Sequence, residues 1–307
     1  MILPALTFGR WIYKGEFHTD FEVLRQAGSL WLAGDWSAIY RDTPTYNFPY
    51  PPHALLLLAP FGVMPLKLAY AAWSLLGAAF FMWAARPYGR IAILTPGALM
   101  CLYYGQTGLV VGGLWLLAFR GSWPAVSLLT IKPHLGFLSV LSLRSFNQAL
   151  KVTLLAIALA APFITLWPDF IAHSLGHIGK VRAGQVWQFV AVTPAIAYGL
   201  IGWIPFAAAA ALMLARNTNV FTAATAALLI APYAFSYDMP VACLGIFLTA
   251  RRHWDDLGTF DRLALAIGFL CPSIARFGIW WAPPILLWCL WVQVKLPAPT
   301  GRKTCPV

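Results

Sequence analysis

Apolar residues run along this chain in blocks rather than in alternation with polar ones. The blocks cover roughly 54–61, 66–85, 91–104, 106–119, 124–131, 135–143, 150–167, 193–214, 219–237, 239–250, 263–275 and 278–294. Continuous apolar runs of this kind predict helices in a membrane bundle. Several of them hold fewer than the ~20 residues a straight helix needs to cross the hydrocarbon. Short helices broken by Pro or Gly occur at membrane depth where they line a protein-enclosed cavity. The stretch "TIKPHLG", 130–136, is the clearest break. It divides 124–143 into two half-helices meeting at Lys132-Pro133, in and back on one side.

Polar residues gather in two longer segments, 1 to about 53 and "WPDFIAHSLGHIGKVRAGQVWQF", 167–189. In the first, Phe21, Leu24, Ala27, Gly28 and Trp31 recur at helical spacing, with Leu30 widening the stripe. Thr19 and Glu22 form a capping-box pattern, and Gly34 is placed to stop the helix. An amphipathic helix at 20–33 follows, lying on the bundle or in the interface plane, with Asp20 in its first turn. The second segment reads as an outer loop.

Composition fixes the class. Of 307 residues, 60% are hydrophobic and 10% charged, whereas soluble domains carry roughly 25% charged residues. The fold class is therefore all-α, a polytopic integral membrane protein in a single domain, with a bundle at 54–294 and a tail at 295–307. The net charge of +11 does not point to nucleic acid, because the basic residues stand singly or in pairs between apolar runs. With 1–65 outside and 124–143 re-entrant, the inner side receives Arg86, Arg90, Arg120, Arg144, Lys151, Arg216, Arg251, Arg252, Arg262, Lys295, Arg302 and Lys303. That is 12 of the 21 Lys and Arg, leaving nine outside with seven of the ten acids. Reading 124–143 as one full span fits the positive-inside rule less well.

The absences narrow the chemistry. There is no G-x-G-x-x-G, no P-loop and no Asp-x-Asp pair for a metal-bound nucleotide diphosphate. Adjacent Asp255 and Asp256 fall in an inner loop. Cys101, Cys243, Cys271, Cys289 and Cys305 share no metal-ligand spacing and read as small apolar residues. "MILPALTF" is too short for a signal peptide. No cofactor or metal is expected.

Five stretches carry a resemblance. They are "DF" at 20–21 with "AGSLWLAGDWSAIY", then "YPPHALLLLAPFGVMPLKLAYAAW" from Tyr50, "GQTGLVVGGL" from Gly105, "IKPHLG" from Ile131 and "APYAFSYDMPV" from Ala231. In this order the chain resembles glycosyltransferase family 87, the polyprenol-phosphate-mannose-dependent mannosyltransferases of GT-C type, over about residues 20–245. The resemblance implies a multi-pass enzyme of the bacterial plasma membrane with its site on the extracytoplasmic face. It implies a polyprenyl-phosphate hexose donor, mannose in the family, and a lipid or glycan acceptor. Family members carry a transmembrane helix before the "DF" loop. The 19 residues preceding Asp20 hold no apolar run able to span, so the sequence departs from the family there and a late start or a missing first helix is expected.

Inverting transfer from such a donor needs a carboxylate to take the acceptor hydroxyl's proton and a cation to hold the leaving phosphate. The resemblance assigns the base to Asp20; the residues alone also allow a helix-start acid stabilised by the macrodipole. Asp35 and Asp42 are weaker alternatives. Lys132, between two apolar half-helices, is assigned to the donor phosphate with His134 and Gln106, or else to an ion pair with Asp238. Asp238, Tyr50, His177, Lys180 and Arg182 are candidates for acceptor contact or for shaping the site. His173 and His177 would be zinc-spaced on a helix, but no third ligand is evident. The rivals are a transporter or flippase with a broken-helix site at Lys132 and an inactive, truncated relative. No internal repeat supports the transporter.

Overall fold

The computed structural model describes residues 20–41, 46–182, 191–277 and 280–296, without the side chains of 177–182 and 276. Thirteen helices of six residues or more lie among these. In chain order they are α1 Phe21–Leu32, α2 Leu55–Gly62, α3 Leu66–Ala84, α4 Pro96–Tyr104, α5 Gly108–Phe119, α6 Trp123–Leu128 and α7 Phe146–Ala160. They continue as α8 Trp167–Arg182, α9 Pro194–Arg216, α10 Val220–Ile230, α11 Pro240–His253, α12 Thr259–Ile274 and α13 Ala282–Lys295. Single helical turns and 3-10 segments join them. No strand occurs among the described residues, only an isolated antiparallel bridge between Ala191 and Phe235.

The predicted amphipathic helix forms as α1, and it packs into the bundle rather than over it. Phe21, Leu24, Ala27 and Gly28 are its buried face. Phe21 is fully enclosed against the rings of Phe61, Tyr70 and Trp73. The backbones of α1 and α2 cross in contact: a Cβ on Gly28 would lie 2.7 Å from the Leu58 carbonyl oxygen, and one on Gly62 2.5 Å from the Ser29 nitrogen. That approach fixes where the start of α1, and with it Asp20, is held. Gly34, with φ +77°, follows the end of the helix. Thr19 of the expected capping box lies outside the described residues.

Helices alternate between a site end and a far end. Tyr70, early in α3, and Gly108, opening α5, sit at the first; at the second, Arg120 donates to the Arg86 carbonyl at 2.6 Å. From Arg120 the chain turns back along α6 to Lys132, then descends again, since Leu135 lies beside Val111 and Trp115 of α5. The excursion of 124–143 thus has two arms meeting at Lys132. The second arm is not an α-helix throughout; beyond Gly136 it becomes a 3-10 segment, Phe137–Ser142. The break has a local cause. Lys132 takes φ −138°, ψ 68°, because the residue before a proline is driven out of the α region.

Among the described residues, three helical stretches are long and apolar enough to cross a membrane: Leu66–Ala84, Phe146–Gly176 and Pro194–Arg216. Only 22%, 11% and 11% of their most apolar windows is buried, so Leu75, Leu154 and Ile201 project outward with their neighbours. Contiguous apolar surface of this extent is suited to lipid. The remaining apolar helices, α5 and α10 among them, are shorter and enclosed.

Two expectations need correction. Residues 167–182 of the second polar segment are a helix, α8, continuing α7 across a kink at Phe163. Pro168 is tolerated in a first turn, Asp169 suits it electrostatically, and Phe170 and His173 pack on Tyr40. Residues 183–190 lie outside the description. The apolar run 219–237 is helical only to Ile230. Ala231, before Pro232, is extended, and the chain then pairs with 191–192 through the Val192 amide and the Ala234 carbonyl.

Candidate functional site

Asp20, Asn47, Tyr50, Gln106, Lys132, His134, Tyr233 and Tyr237 line one cavity of about 60 Å³, which the side chains of Val23, Leu24, Pro49 and Phe235 complete. Six elements supply it: the start of α1, the extended 46–50 stretch, the α4–α5 turn, the break at Lys132, the turn after it, and the segment after α10. A volume of this size admits a few water molecules.

Asp20 stands immediately before α1. Its side chain makes no capping bond to the helix. Its Oδ2 instead accepts from Gln106 Nε2 at 2.8 Å. Gln106 is presented by Gly105, whose φ of +65° is left-handed and whose missing Cβ would meet the Phe21 Cβ at 2.5 Å. The Gln106 side-chain carbonyl oxygen accepts from the Tyr50 hydroxyl at 2.9 Å. That hydroxyl has one proton, so the Thr107 hydroxyl, also 2.9 Å away, donates to it. The result is a donor chain from Thr107 through Tyr50 and Gln106 that ends on the Asp20 carboxylate. Asp20 lies outside the three spanning helices. Burial pushes its carboxyl up to about 6, although the Gln106 hydrogen bond and the charge of Lys132 both pull the other way.

Lys132 is 4% exposed. Its ammonium contacts Asp238 Oδ1 and lies 5.6 and 5.3 Å from the ring centres of Tyr50 and Tyr237. Asp238 is held from its other side by the Phe235 amide at 3.0 Å. Its Oδ1 faces the ammonium, its Oδ2 accepts from the amide and its side chain has no exposure, which places it to orient Lys132. His134 stacks on Tyr233 at 4.0 Å between ring centres and faces the cavity.

The fold therefore brings together Asp20, Tyr50, Gln106, Lys132, His134 and Asp238. His177, Lys180 and Arg182 are on α8, with side chains outside the described set. Asp35 is exposed and bonded by Ser37 at 3.2 Å, away from the cavity; Asp42 lies outside the described residues. No group of three metal-ligating side chains occurs among the described residues, and His173 bonds Asn47 at 3.0 Å. Cys101, Cys243, Cys271 and Cys289 are buried and free. Sequence reasoning passed over Tyr233, Tyr237, Asn47 and Thr107. The tyrosines had a signal, since both precede Asp238 within "YAFSYD"; Asn47 and Thr107 had none.

Chemically the cavity couples a carboxylate of raised pKa, able to accept a proton near neutrality, with one buried ammonium and several phenols that can donate to an anion. No protein-family model, no curated protein sequence and no solved structure matches this chain.

Proposed function

We propose that the chain is a GT-C-like membrane glycosyltransferase of the family 87 kind, moving a hexose, mannose by the resemblance, from a polyprenyl phosphate to a hydroxyl of a lipid or glycan. In this reading the acceptor oxygen attacks the anomeric carbon as its proton passes to Asp20. The bond from that carbon to the phosphate oxygen breaks with inversion, and the polyprenyl phosphate leaves. Lys132 and His134, with the Tyr237 hydroxyl, receive the growing negative charge. Lys132 has three donors and gives one to Asp238, so two remain. The site would face the extracytoplasmic side, because the helices leading away from it end in Arg86, Arg120, Arg216, Arg251 and Lys295.

The observation that carries the proposal is that Asp20 and Lys132 line one cavity. The cavity is smaller than a hexose, so the donor sugar must widen it on entry. The test is transfer from radiolabelled polyprenyl-phosphate sugars to total membrane lipid by the purified protein. Asp20→Asn, expressed and folded normally, is expected to lose about 10²–10⁴ in rate. Unchanged turnover removes Asp20 from the mechanism.

A second reading is favoured by one feature, the helix broken at a buried charge, which also marks transport sites. Substrate uptake into vesicles that needs Lys132 but no sugar transfer would decide for it.

A further inference from the structure

A second, larger hollow adjoins the cavity. It has a volume of about 660 Å³ and lies between α8 and the 3-10 turn Trp36–Ala38 with the residues that follow. Asp169 and His173 face it from α8, and Ser37 and Arg41 from the other wall. Ala172 and Gly176 keep the α8 side low.

Two hydrogen bonds join this cleft to the cavity. His173 Nε2 meets Asn47 Oδ1 at 3.0 Å, and Asn47 lines the cavity with Asp20. The Tyr40 hydroxyl, from the cleft floor, donates to the Tyr50 carbonyl at 2.9 Å. The partition between the two spaces is thus a layer of side chains. Arg41 and Asp169 line the same cleft without pairing with one another, and neither has an ion-pair partner among the described residues. A guanidinium and a carboxylate left open in one cleft offer both donors and acceptors. An anion would be held by Arg41 and repelled by Asp169. A neutral polyhydroxylated molecule uses both, since each sugar hydroxyl donates and accepts.

We propose that this cleft binds the carbohydrate part of the acceptor, an uncharged saccharide, and presents one hydroxyl past Asn47 to Asp20. The inference rests on the transferase reading of the neighbouring cavity. It assigns Asp169 and Arg41 as acceptor-binding residues and the His173–Asn47 pair as the threshold between the two spaces.

The test uses the full chain in nanodiscs, with binding of methyl α-mannoside and methyl α-glucoside read by saturation-transfer NMR. A Ser37→Cys variant labelled with a membrane-impermeant maleimide gives a second readout. Saccharide binding in the millimolar range is expected, weakened at least about tenfold by Asp169→Asn and by Arg41→Gln and kept in Asp20→Asn. Both surface variants should keep the wild-type melting temperature, and the saccharide should slow labelling of the introduced thiol. Absence of binding, binding indifferent to both variants, or stronger protection of that thiol by inorganic phosphate than by glycoside overturns the inference. The outcomes separate it from the transferase reading. Loss of transfer in Asp20→Asn without saccharide binding sinks the cleft alone. Saccharide binding that needs Asp169, with turnover intact in Asp20→Asn, sinks the chemistry alone.

Discussion

Two lysine–aspartate pairs stand at opposite ends of the bundle. Lys295 meets Asp261 at 2.6 Å on the far side, with side-chain exposures of 33% and 12%. Asp261 opens α12 and also accepts from the Trp288 indole at 2.9 Å, while Lys295 closes α13 over the ring of Trp291. Lys132 and Asp238, at 5% and 0%, meet where one helix is broken and another is about to begin. If the far pair is broken, water reaches Lys295 and Asp261 keeps its bond from the Trp288 indole. If the site pair is broken, one charge is stranded among tyrosines. A buried pair of this kind is not explained by stability, since apolar replacement of both partners is often neutral or favourable. Lys132 lines the Asp20 cavity, so in the proposed reaction the pair serves to hold an ammonium toward the leaving phosphate.

The strongest way to break that contrast is to remove one partner at the site. Asp238→Ala is expected to cost about 3–5 kcal/mol in denaturant unfolding, because Lys132 is left without its counter-ion. The double variant Lys132→Met with Asp238→Leu should recover most of that stability and none of the transfer. If the double variant transfers sugar, the ammonium has no chemical role.

Acidification sharpens the contrast, because it acts on Asp20, whose carboxyl burial raises. Its carboxyl is raised from 3.8 to about 6 by burial. Below 3.8 it is neutral folded and unfolded alike and contributes nothing. Between 3.8 and about 6 the unfolded chain ionises first, so the folded state loses stability as pH rises through that window, by roughly 1–3 kcal/mol. Subtracting the Asp20→Asn profile from that of the wild type isolates the effect. A difference that is flat over this window contradicts the buried carboxyl. Transfer should move in the opposite direction, falling about tenfold per pH unit below 6 as the base is protonated.

The smallest effect belongs to the far pair. Lys295 is a third exposed, so Asp261→Asn should cost less than loss of the site pair, about 0.2–1 kcal/mol, and the cost should shrink in high salt. A loss as large as that of Asp238→Ala would erase the distinction drawn between the two ends.

Much of the helical content was legible because it is local. The runs at 66–85 and 193–214 became α3 and α9, and Lys132-Pro133 broke its helix as the chemistry of the pre-proline residue requires. The stripe Phe21, Leu24, Ala27, Gly28 marked the buried face of α1. The α8 helix was missed because its face is divided: His173 and Asp169 turn to the cleft while Ile171 and Leu175 are exposed, so no single polarity reads along it. The end of α10 was missed because apolar content continues past Ile230 into a chain that pairs with 191–192.

The amino-acid order by itself determined which stretches are apolar, where they break, and which few charges are embedded among them, since those properties depend on residues within a turn or two. Which embedded groups meet was decided only by packing. Gln106 reaches Asp20 across 86 residues and Lys132 reaches Asp238 across 106. The first of these meetings depends on the backbone crossing at Gly28 and Gly62 and on the left-handed turn at Gly105. A cavity is a property of the space between helices, and no periodicity along a single helix encodes it.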